Sequence, residues 1–297
     1  MAGQQTQAIL GMAENLWTCF DELIDSLKSA EDWNQRHGAD WTFADVPYHL
    51  MYTERDLVAG AIEKGPNVPT EEQRVQHTMR ELNAWNMAKF AERPAGQTPQ
   101  ESLQQWEAMR NRVRTALTNL SNEQLGNNLV WFPLVGCGWI PAMVPAGFAV
   151  AHAWSEFTQL RFHMNRTAPQ PSPEAEHAAV GFLQGLMPAF LDREAAKGVT
   201  FTAVMEYTGP GGSSWTFRVA DGQCTATEEH AINADIVVTQ SPETFELIRQ
   251  GKLDPAAAMQ SGRLTAHGIE NMERFGMLFH PPALDQQIPP MGPGALG

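Results

Sequence analysis

Apolar residues in the first half of the chain recur at steps of three and four residues, the spacing of a helix with one buried face. The predicted helices cover residues 5–29, 42–64, 70–91 and 99–120, and a fifth begins near residue 146. Thr42 and Thr98 are expected as N-caps, with Asp45 and Glu101 in the first turns that follow. Strand-like alternation begins only at residue 199, so the pattern predicts an all-α, up-down helix bundle.

The pattern changes after the proline-rich segment 167–173, which is expected to be a stiff linker. Alternating apolar and polar residues then predict strands, with Asp221 and Gly222 as the turn between two of them. The predicted strands are 199–207, 214–220, 223–229, 234–239 and 263–266, among helices at 174–196, 241–250, from 252 onward, and 269–278. We therefore expect a helical domain over 1–166, an α+β domain with an antiparallel sheet over 174–280, and a disordered tail over 281–297.

The stretch from Leu129 to His163 is the most apolar part of the chain, and it carries no charge from Leu129 to Ala151. Its length would suit a membrane span, but prolines at 133, 141 and 145 would free backbone groups that lipid cannot satisfy. We expect instead an apolar loop up to Pro145, followed by a helix from Ala146, and no membrane span.

Composition narrows the class of protein. The 297 residues include 34 acidic and 20 basic side chains, a formal net charge of −14, which argues against nucleic acid or an anionic membrane surface as a partner. Three widely spaced cysteines indicate neither a disulfide framework nor a thiolate zinc site. The N-terminus lacks the pattern of a signal peptide, so we expect a soluble cytoplasmic protein, either a monomer or a homodimer.

The predicted last helix of the bundle carries His152 and Glu156 four residues apart, on one face. His49, in the second predicted helix, is the best candidate for a third metal ligand, since bundles build metal sites from facing helices. Asp45, Tyr52 and Asp56 share its face and are candidates to orient the imidazole. The alternative is that each histidine is only a hydrogen-bonded polar residue.

Two other residues near these candidates are not predicted to take part in the metal site. His163 lies 11 residues beyond His152, about 16 Å along the helix axis, which is too far to share an ion. It is expected as a cation at the helix end. Cys137 is expected to be a small apolar residue rather than a reactive thiol.

The run ValProTyrHisLeuMetTyrThrGluArg (46–55) and the run AlaHisAlaTrpSerGluPhe (151–157) together resemble the DinB-like metalloenzyme superfamily. That superfamily includes thiol-dependent S-transferases and the mycothiol-dependent maleylpyruvate isomerase. Its usual pattern is His in the second helix and HisxxxHis in the fourth, so Glu156 stands here where the second His is expected. The resemblance implies a divalent metal, zinc first with iron or nickel as alternatives, and a low-molecular-weight thiol.

Residues 176–280 resemble the sterol carrier protein type 2 fold, through the runs SerTrpThrPheArgValAlaAspGlyGlnCys (214–224) and GlyArgLeuThrAlaHisGly (262–268). The resemblance implies an apolar tunnel for an acyl or sterol-like ligand, with Met205 and Phe245 among its lining residues. Trp131, Phe132 and Trp139, from the apolar loop, are the corresponding candidates to line the metal site.

Three functions remain open at this point. The first is a metal enzyme that activates a thiol or water for transfer to, or isomerisation of, a small apolar or aromatic electrophile. The second is a carrier that holds a lipid-like ligand in the second domain, with the bundle as a scaffold. The third is a metal enzyme whose second domain presents a hydrophobic substrate.

Overall fold

The protein is represented by a computed structural model that describes residues 3–37, 41–134, 136–164, 169–280 and 284–288. These residues form two compact units. The first comprises the described residues up to 171 together with 284–288, and the second comprises 172–280. The division falls within the proline-rich segment from which the linker was predicted.

The first unit is mainly helical. Its helices are α1 (Gln4–Asp25), α2 (Ala30–Trp33), α3 (Val46–Thr53), α4 (Gly60–Lys64), α5 (Met79–Ala91), α6 (Pro99–Thr118), α7 (Asn122–Asn127) and α8 (Met143–Met164). A π-helical turn, Glu54–Ala59, joins α3 to α4. There, a Cβ on Gly60 would lie 2.5 Å from the Arg55 carbonyl oxygen, so glycine permits the turn.

The helices of this unit pack as the apolar spacing predicts. Helix α1 lies against α8, and α3 lies against α6. The ring of Phe20 makes edge contacts with Trp106 at 5.2 Å and with Phe157 at 5.6 Å between centroids. Capping boxes are present at Thr42 with Asp45 and at Thr98 with Glu101.

The apolar stretch after Leu129 differs from the expected loop. It forms an antiparallel hairpin of β1 (Leu129–Phe132) and β2 (Gly138–Pro141), in which Trp131 lies opposite Trp139. Aromatic and β-branched residues in both arms favour pairing over an irregular loop. Helix α8 then begins at Met143, three residues before the predicted start, because Pro145 is tolerated in a first turn.

The segment before α5 is mostly not helical where a helix was predicted; only Thr70–Glu72 form a short 3₁₀ helix. Helix α5 begins at Met79 with Thr78 as its N-cap, well after the expected start at residue 70. The residues in between run beside the hairpin: the Gln76 N–H donates to the Pro133 carbonyl at 3.0 Å, and its own carbonyl accepts from Gly136 at 2.8 Å. These hydrogen bonds pair backbone N–H and C=O groups that would otherwise pair within a helix.

The second unit confirms the predicted α+β class. Its elements are α9 (Pro173–Leu186), β3 (Thr200–Tyr207), β4 (Ser214–Ala220), β5 (Gln223–Thr227), β6 (Ile236–Gln240), α10 (Pro242–Arg249), α11 (Pro255–Gln260), β7 (Leu264–His267) and α12 (Met272–Leu278). Asp221 and Gly222 have φ of 50° and 75°, as a tight hairpin turn requires.

The strand order of the sheet is β5-β4-β3-β6-β7. Its neighbours are antiparallel except for β3 and β6, which pair in parallel. The long connection through β4 and β5 allows this crossover, since a parallel neighbour needs more than a hairpin loop.

Among the described residues, no helix is both long enough and apolar enough to traverse a bilayer.

The C-terminal segment was expected to be disordered. Within it, residues 284–288 are described and pack on the first unit: Ile288 is buried, and its N–H donates to the His77 carbonyl at 2.8 Å. The rest of the tail lies outside the described residues.

Candidate metal centre

Helices α3 and α8 bring His49, His152 and Glu156 together, and one ligand atom from each lies within 4.8 Å of the others. The two imidazole Nε2 atoms are 3.0 Å apart. Glu156 Oε1 is 3.8 Å from His49 Nε2 and 4.0 Å from His152 Nε2. His49 and Glu156 are buried, and the side chain of His152 is 16% exposed, so His152 marks the accessible side of the cluster.

A hydrogen-bond chain fixes the tautomer of His49. Its Nδ1 lies 2.6 Å from the Tyr52 hydroxyl, which in turn donates to Asn86 Oδ1 at 3.0 Å. Because the hydroxyl donates its only proton to Asn86, it must accept one from His49 Nδ1. Burial lowers the pKa of His49 to about 3, so the ring is neutral and its Nε2 carries the lone pair.

Glu156 is held from its other side by His37. Its Oε2 accepts from His37 Nε2 at 3.0 Å, which leaves Oε1 facing His49 and His152. Burial by itself would raise the pKa of Glu156, but the His37 hydrogen bond and the three histidines outweigh burial and lower it to about 2. The carboxylate is therefore ionised.

Aromatic rings surround the imidazoles. Trp41 lies 4.5 Å from His49 between ring centroids, and Phe90 is stacked on the same imidazole at 6.3 Å. Phe148 is stacked on His152 at 5.0 Å. These rings limit access of water, which strengthens electrostatic interactions within the cluster.

The donor set fits a divalent metal. Two imidazole nitrogens and a carboxylate oxygen are the usual ligands of zinc or non-haem iron. A tetrahedral ion with bonds of about 2.0–2.1 Å holds its ligand atoms about 3.4 Å apart, close to the separations of 3.0, 3.8 and 4.0 Å here. Without a cation, one of the facing Nε2 atoms must carry the proton that lies between them; a metal would replace that proton.

Of the three residues predicted to orient His49, the structure brings only Tyr52 to the imidazole. Asp45 caps the turn before α3 and pairs with Arg93 at 2.7 Å. Asp56 pairs with Arg55 at 2.6 Å and with Lys89 at 3.1 Å. The expectation for these two carboxylates is therefore corrected, because nearby cations are better partners for them than a neutral imidazole.

The three hairpin residues that were predicted to line the metal site make different contacts. Phe132 is buried against Phe148 at 5.5 Å, and Phe148 in turn stacks on His152. Trp131 and Trp139 contact each other at 5.4 Å. Burial raises the pKa of Cys137 to about 12, which keeps that thiol protonated.

In the second unit, Met205 and Phe245 are buried, and Phe245 lies 5.4 Å from the ring of Tyr207.

Sequence spacing does not reveal His37. It lies in the connection before α3, 119 residues from Glu156, and has no ligand-like neighbour at helical spacing. Its N–H donates to the Trp41 carbonyl at 2.9 Å, which anchors the segment beside the cluster. His163, expected at the end of α8, contacts the His37 ring at 5.8 Å.

Comparison with known families agrees with these two units. Residues 12–159 match the model of the DinB superfamily, and residues 185–280 match that of the SCP-2 sterol transfer family. The chain therefore combines a DinB-like helical part with an SCP-2-like α+β part, which confirms the predicted fusion. No curated protein matches the chain.

The chain also matches several solved structures at low identity. A mycothiol-dependent maleylpyruvate isomerase is 14% identical, with 88% of this chain and 92% of that one covered and a TM-score of 0.48. The ubiquinone synthesis protein UbiJ-SCP2 is 19% identical, with 33% and 88% covered and a TM-score of 0.25. An inverting sec-alkylsulfatase from Pseudomonas sp. is 18% identical, with 46% of this chain covered and a TM-score of 0.31; the match spans 24% of that protein.

Proposed function

We propose that this chain is a metal-dependent enzyme that activates a thiol or water for transfer to, or isomerisation of, a small apolar or aromatic electrophile. The observation that carries the proposal is the buried cluster of His49, His152 and Glu156. Two imidazole nitrogens that face each other at 3.0 Å beside an ionised carboxylate offer a divalent ion three ligands at once.

His49 Nε2, His152 Nε2 and Glu156 Oε1 would hold the ion, which when bound supplies a positive charge that lowers the pKa of a bound thiol or water. One carboxylate and two neutral imidazoles leave a divalent ion with a net charge of about +1, which favours an anionic nucleophile. Tyr52 keeps the His49 lone pair directed at the site. His37 holds Glu156 in place and ionised.

The surroundings favour an apolar or aromatic electrophile. The rings of Trp41, Phe90 and Phe148 lie against the two imidazoles and offer flat apolar surfaces. The resemblance to thiol-dependent DinB-like enzymes supports a thiol as the nucleophile, whereas the donor set by itself would serve a thiol or water. Zinc, iron and nickel all suit these ligands.

The alternative function is a carrier of hydrophobic ligands. It is favoured by the SCP-2 match over 185–280 and by the apolar inner surface of the second unit's sheet. The two functions are separable by metal content, because a carrier has no need of an ion.

The decisive experiment is elemental analysis of the purified full chain, without a metal-binding tag, beside a His49→Ala variant. We expect near-stoichiometric metal in the parent protein and its loss in the variant. Metal-loaded protein should then consume a thiol together with an aromatic electrophile. A parent protein that takes up no zinc, iron or nickel would exclude the metalloenzyme.

A further inference from the structure

The helical unit contains a cavity of about 430 Å³ in addition to the metal cluster. Its walls come from the π-helical turn, from helices α4, α5 and α6, from the segment between α4 and α5, and from the hairpin. His49, His152 and Glu156 are not among its lining residues. A cavity of this volume suits a small organic molecule.

Basic side chains are concentrated around this cavity. The chain has 20 lysines and arginines, and four of them, from four different elements, line it: Arg55, Lys64, Lys89 and Arg112. Among the described residues of the lining, the carboxylates are Asp56 and Glu72. The lining therefore carries an excess of positive charge in a chain whose formal net charge is −14, and this sign attracts anions.

The two lining carboxylates are already paired. Asp56 accepts from Arg55 at 2.6 Å and lies 3.1 Å from Lys89. Burial by itself would raise the pKa of Asp56, but the Arg55 hydrogen bond and the two positive charges outweigh burial and lower it, so this carboxylate is ionised. Glu72 accepts from Lys64 at 2.6 Å. A cationic ligand would have to compete with these side chains, whereas an anionic ligand would not.

The two arginines keep donors that their carboxylate partners do not use. Arg112 donates to Glu63 through Nε and Nη2. Arg55 donates to Asp56 and Glu92 through the same two nitrogens. Within the described part of the chain, Nη1 of either arginine takes part in no hydrogen bond. Glu63 and Glu92 lie outside the lining and are exposed, so water weakens their ion pairs and each guanidinium can bind a second anion at little cost.

The rest of the wall is apolar. It is formed by Ala61, Val68, Trp131 and Pro133. Trp131, which was predicted to line the metal site, supplies the largest apolar side chain of this wall. A ligand with a flat apolar body can bury that body here while its charged end meets the arginines.

The π-helical turn shapes one side of the cavity. It supplies Arg55 and Asp56 and leads directly into Gly60, and all three residues line the cavity. The Gly60 N–H donates to the Arg55 carbonyl, a bond across five residues that an α-helix does not make. Turns of this kind are rare and occur frequently at functional sites.

We propose that this cavity is a binding site, distinct from the metal centre, for a small organic anion with a flat apolar body, an aromatic carboxylate. Arg55 and Arg112 bind the carboxylate, whose two oxygens suit guanidinium donors. The wall that contains Trp131 buries the ring. The site requires neither an ion nor a thiol, so it goes beyond the proposed metal chemistry and stands or falls independently of it.

The first test compares 2-naphthoate with its neutral counterpart 2-naphthamide by isothermal titration calorimetry on the full-length protein. The two probes have the same ring system and differ in charge. We expect 2-naphthoate to bind at least about tenfold more tightly, because charge-assisted hydrogen bonds to arginine need the anion. Equal binding of the two probes, or no binding of 2-naphthoate, would overturn the proposal.

A matched pair of variants on α6 tests the position of the site. The side chains of Arg112 and Arg114 are 41% and 39% exposed and each pairs with one glutamate, but Arg114 does not line the cavity. Arg112→Gln should weaken 2-naphthoate binding about tenfold, and Arg114→Gln should leave it unchanged. Lys64→Gln, on α4, should also weaken it, which provides a second test if Arg112→Gln does not fold. Equal losses in Arg112→Gln and Arg114→Gln would contradict a site in this cavity.

A bound metal also attracts carboxylates, so the same titration is made with Glu156→Gln. Unchanged affinity for 2-naphthoate in this variant supports a site outside the metal centre. Loss of binding in Glu156→Gln, together with normal binding in Arg112→Gln, would place the anion at the metal centre and overturn the proposal. Metal content measured in the same preparations separates either result from a failure of the metal site itself.

Discussion

Two glutamates are buried in the same helical unit, and their neighbours shift their pKa values in opposite directions. Glu156 is 8% exposed and faces three imidazoles, and its pKa is lowered to about 2. Glu54 is 2% exposed, and burial raises its pKa to about 7 despite indole hydrogen bonds that act in the opposite direction. Its Oε1 accepts from Trp17 Nε1 at 3.1 Å.

The comparison shows that partners, rather than burial, decide which carboxylate is ready to bind a cation. Glu156 is ionised and positioned from its far side by His37, as a metal ligand must be. Glu54, at the start of the π-helical turn, accepts from the neutral indole of Trp17, and the charges of Arg110 and Arg114 do not offset its burial, so ionising it costs stability. Four predictions test this contrast, from the largest expected effect to the smallest.

The first prediction exchanges each carboxylate for its amide. Glu156→Gln should weaken metal binding on the order of several hundredfold. The free energy of binding of a structural zinc ion is about 10–16 kcal/mol, and each of its few ligands supplies a large part of it. Glu54→Gln, the matched control, should retain the metal content of the parent. Metal competition with a chromophoric chelator measures both, and equal losses in the two variants would refute the assignment of Glu156 as a ligand.

The second prediction concerns the stability cost of Glu54. Because its folded pKa of about 7 lies above the ordinary 4.5, the folded state binds more protons between these values. The contribution of the protonated Glu54 side chain to the free energy of unfolding is fully present below about pH 4.5. It is lost as the pH rises through about 7, and the loss is roughly 3 kcal/mol in all. Glu54→Gln should therefore gain stability relative to the parent as the pH rises through this window.

Denaturant unfolding of both proteins across the pH range gives this difference directly. Titrations common to the two proteins cancel in it. A difference that stays constant with pH would show that Glu54 titrates normally.

The third prediction tests His37 as a positioning residue. His37→Ala should lower metal affinity about tenfold to a hundredfold, since the carboxylate loses the bond that directs Oε1 at the imidazoles. His77→Ala, which removes an exposed histidine of the same unit, should have no effect. Chelator competition is the readout, and unchanged affinity in His37→Ala would show that Glu156 needs no support.

The fourth prediction has the smallest effect. Tyr52→Phe removes the acceptor for His49 Nδ1 and the bond to Asn86, so metal affinity should fall about threefold to tenfold. Tyr48→Phe, in the same helix, should not alter it. If the two variants behave alike, the effect belongs to aromatic packing rather than to the hydrogen-bond chain.

Local chemistry made much of the fold predictable. Thr98 marks the start of its helix because its side-chain oxygen accepts from the Glu101 N–H. At Thr42 the Asp45 carboxylate accepts from the Thr42 N–H at 2.8 Å, so the same pair of residue types marks the start of the turn before α3. Asp221 and Gly222 fix a hairpin because few residue pairs tolerate two positive φ angles. The hairpin after Leu129 was missed because an apolar run interrupted by proline and glycine fits a loop as well as two short strands.

The sequence by itself determined that His152 and Glu156 share one face of a helix, because helical geometry relates positions four apart. It also predicted His49 as the partner on a facing helix, and the resemblance of the two halves to DinB-like and SCP-2-like proteins. Only the tertiary structure decided that His37 reaches Glu156 and that Asp45 and Asp56 turn to cations instead. It alone also showed that the pKa values of Glu54 and Glu156 shift in opposite directions. The reason is physical: a pKa or a hydrogen bond depends on which groups meet in space, and groups 119 residues apart meet only after folding.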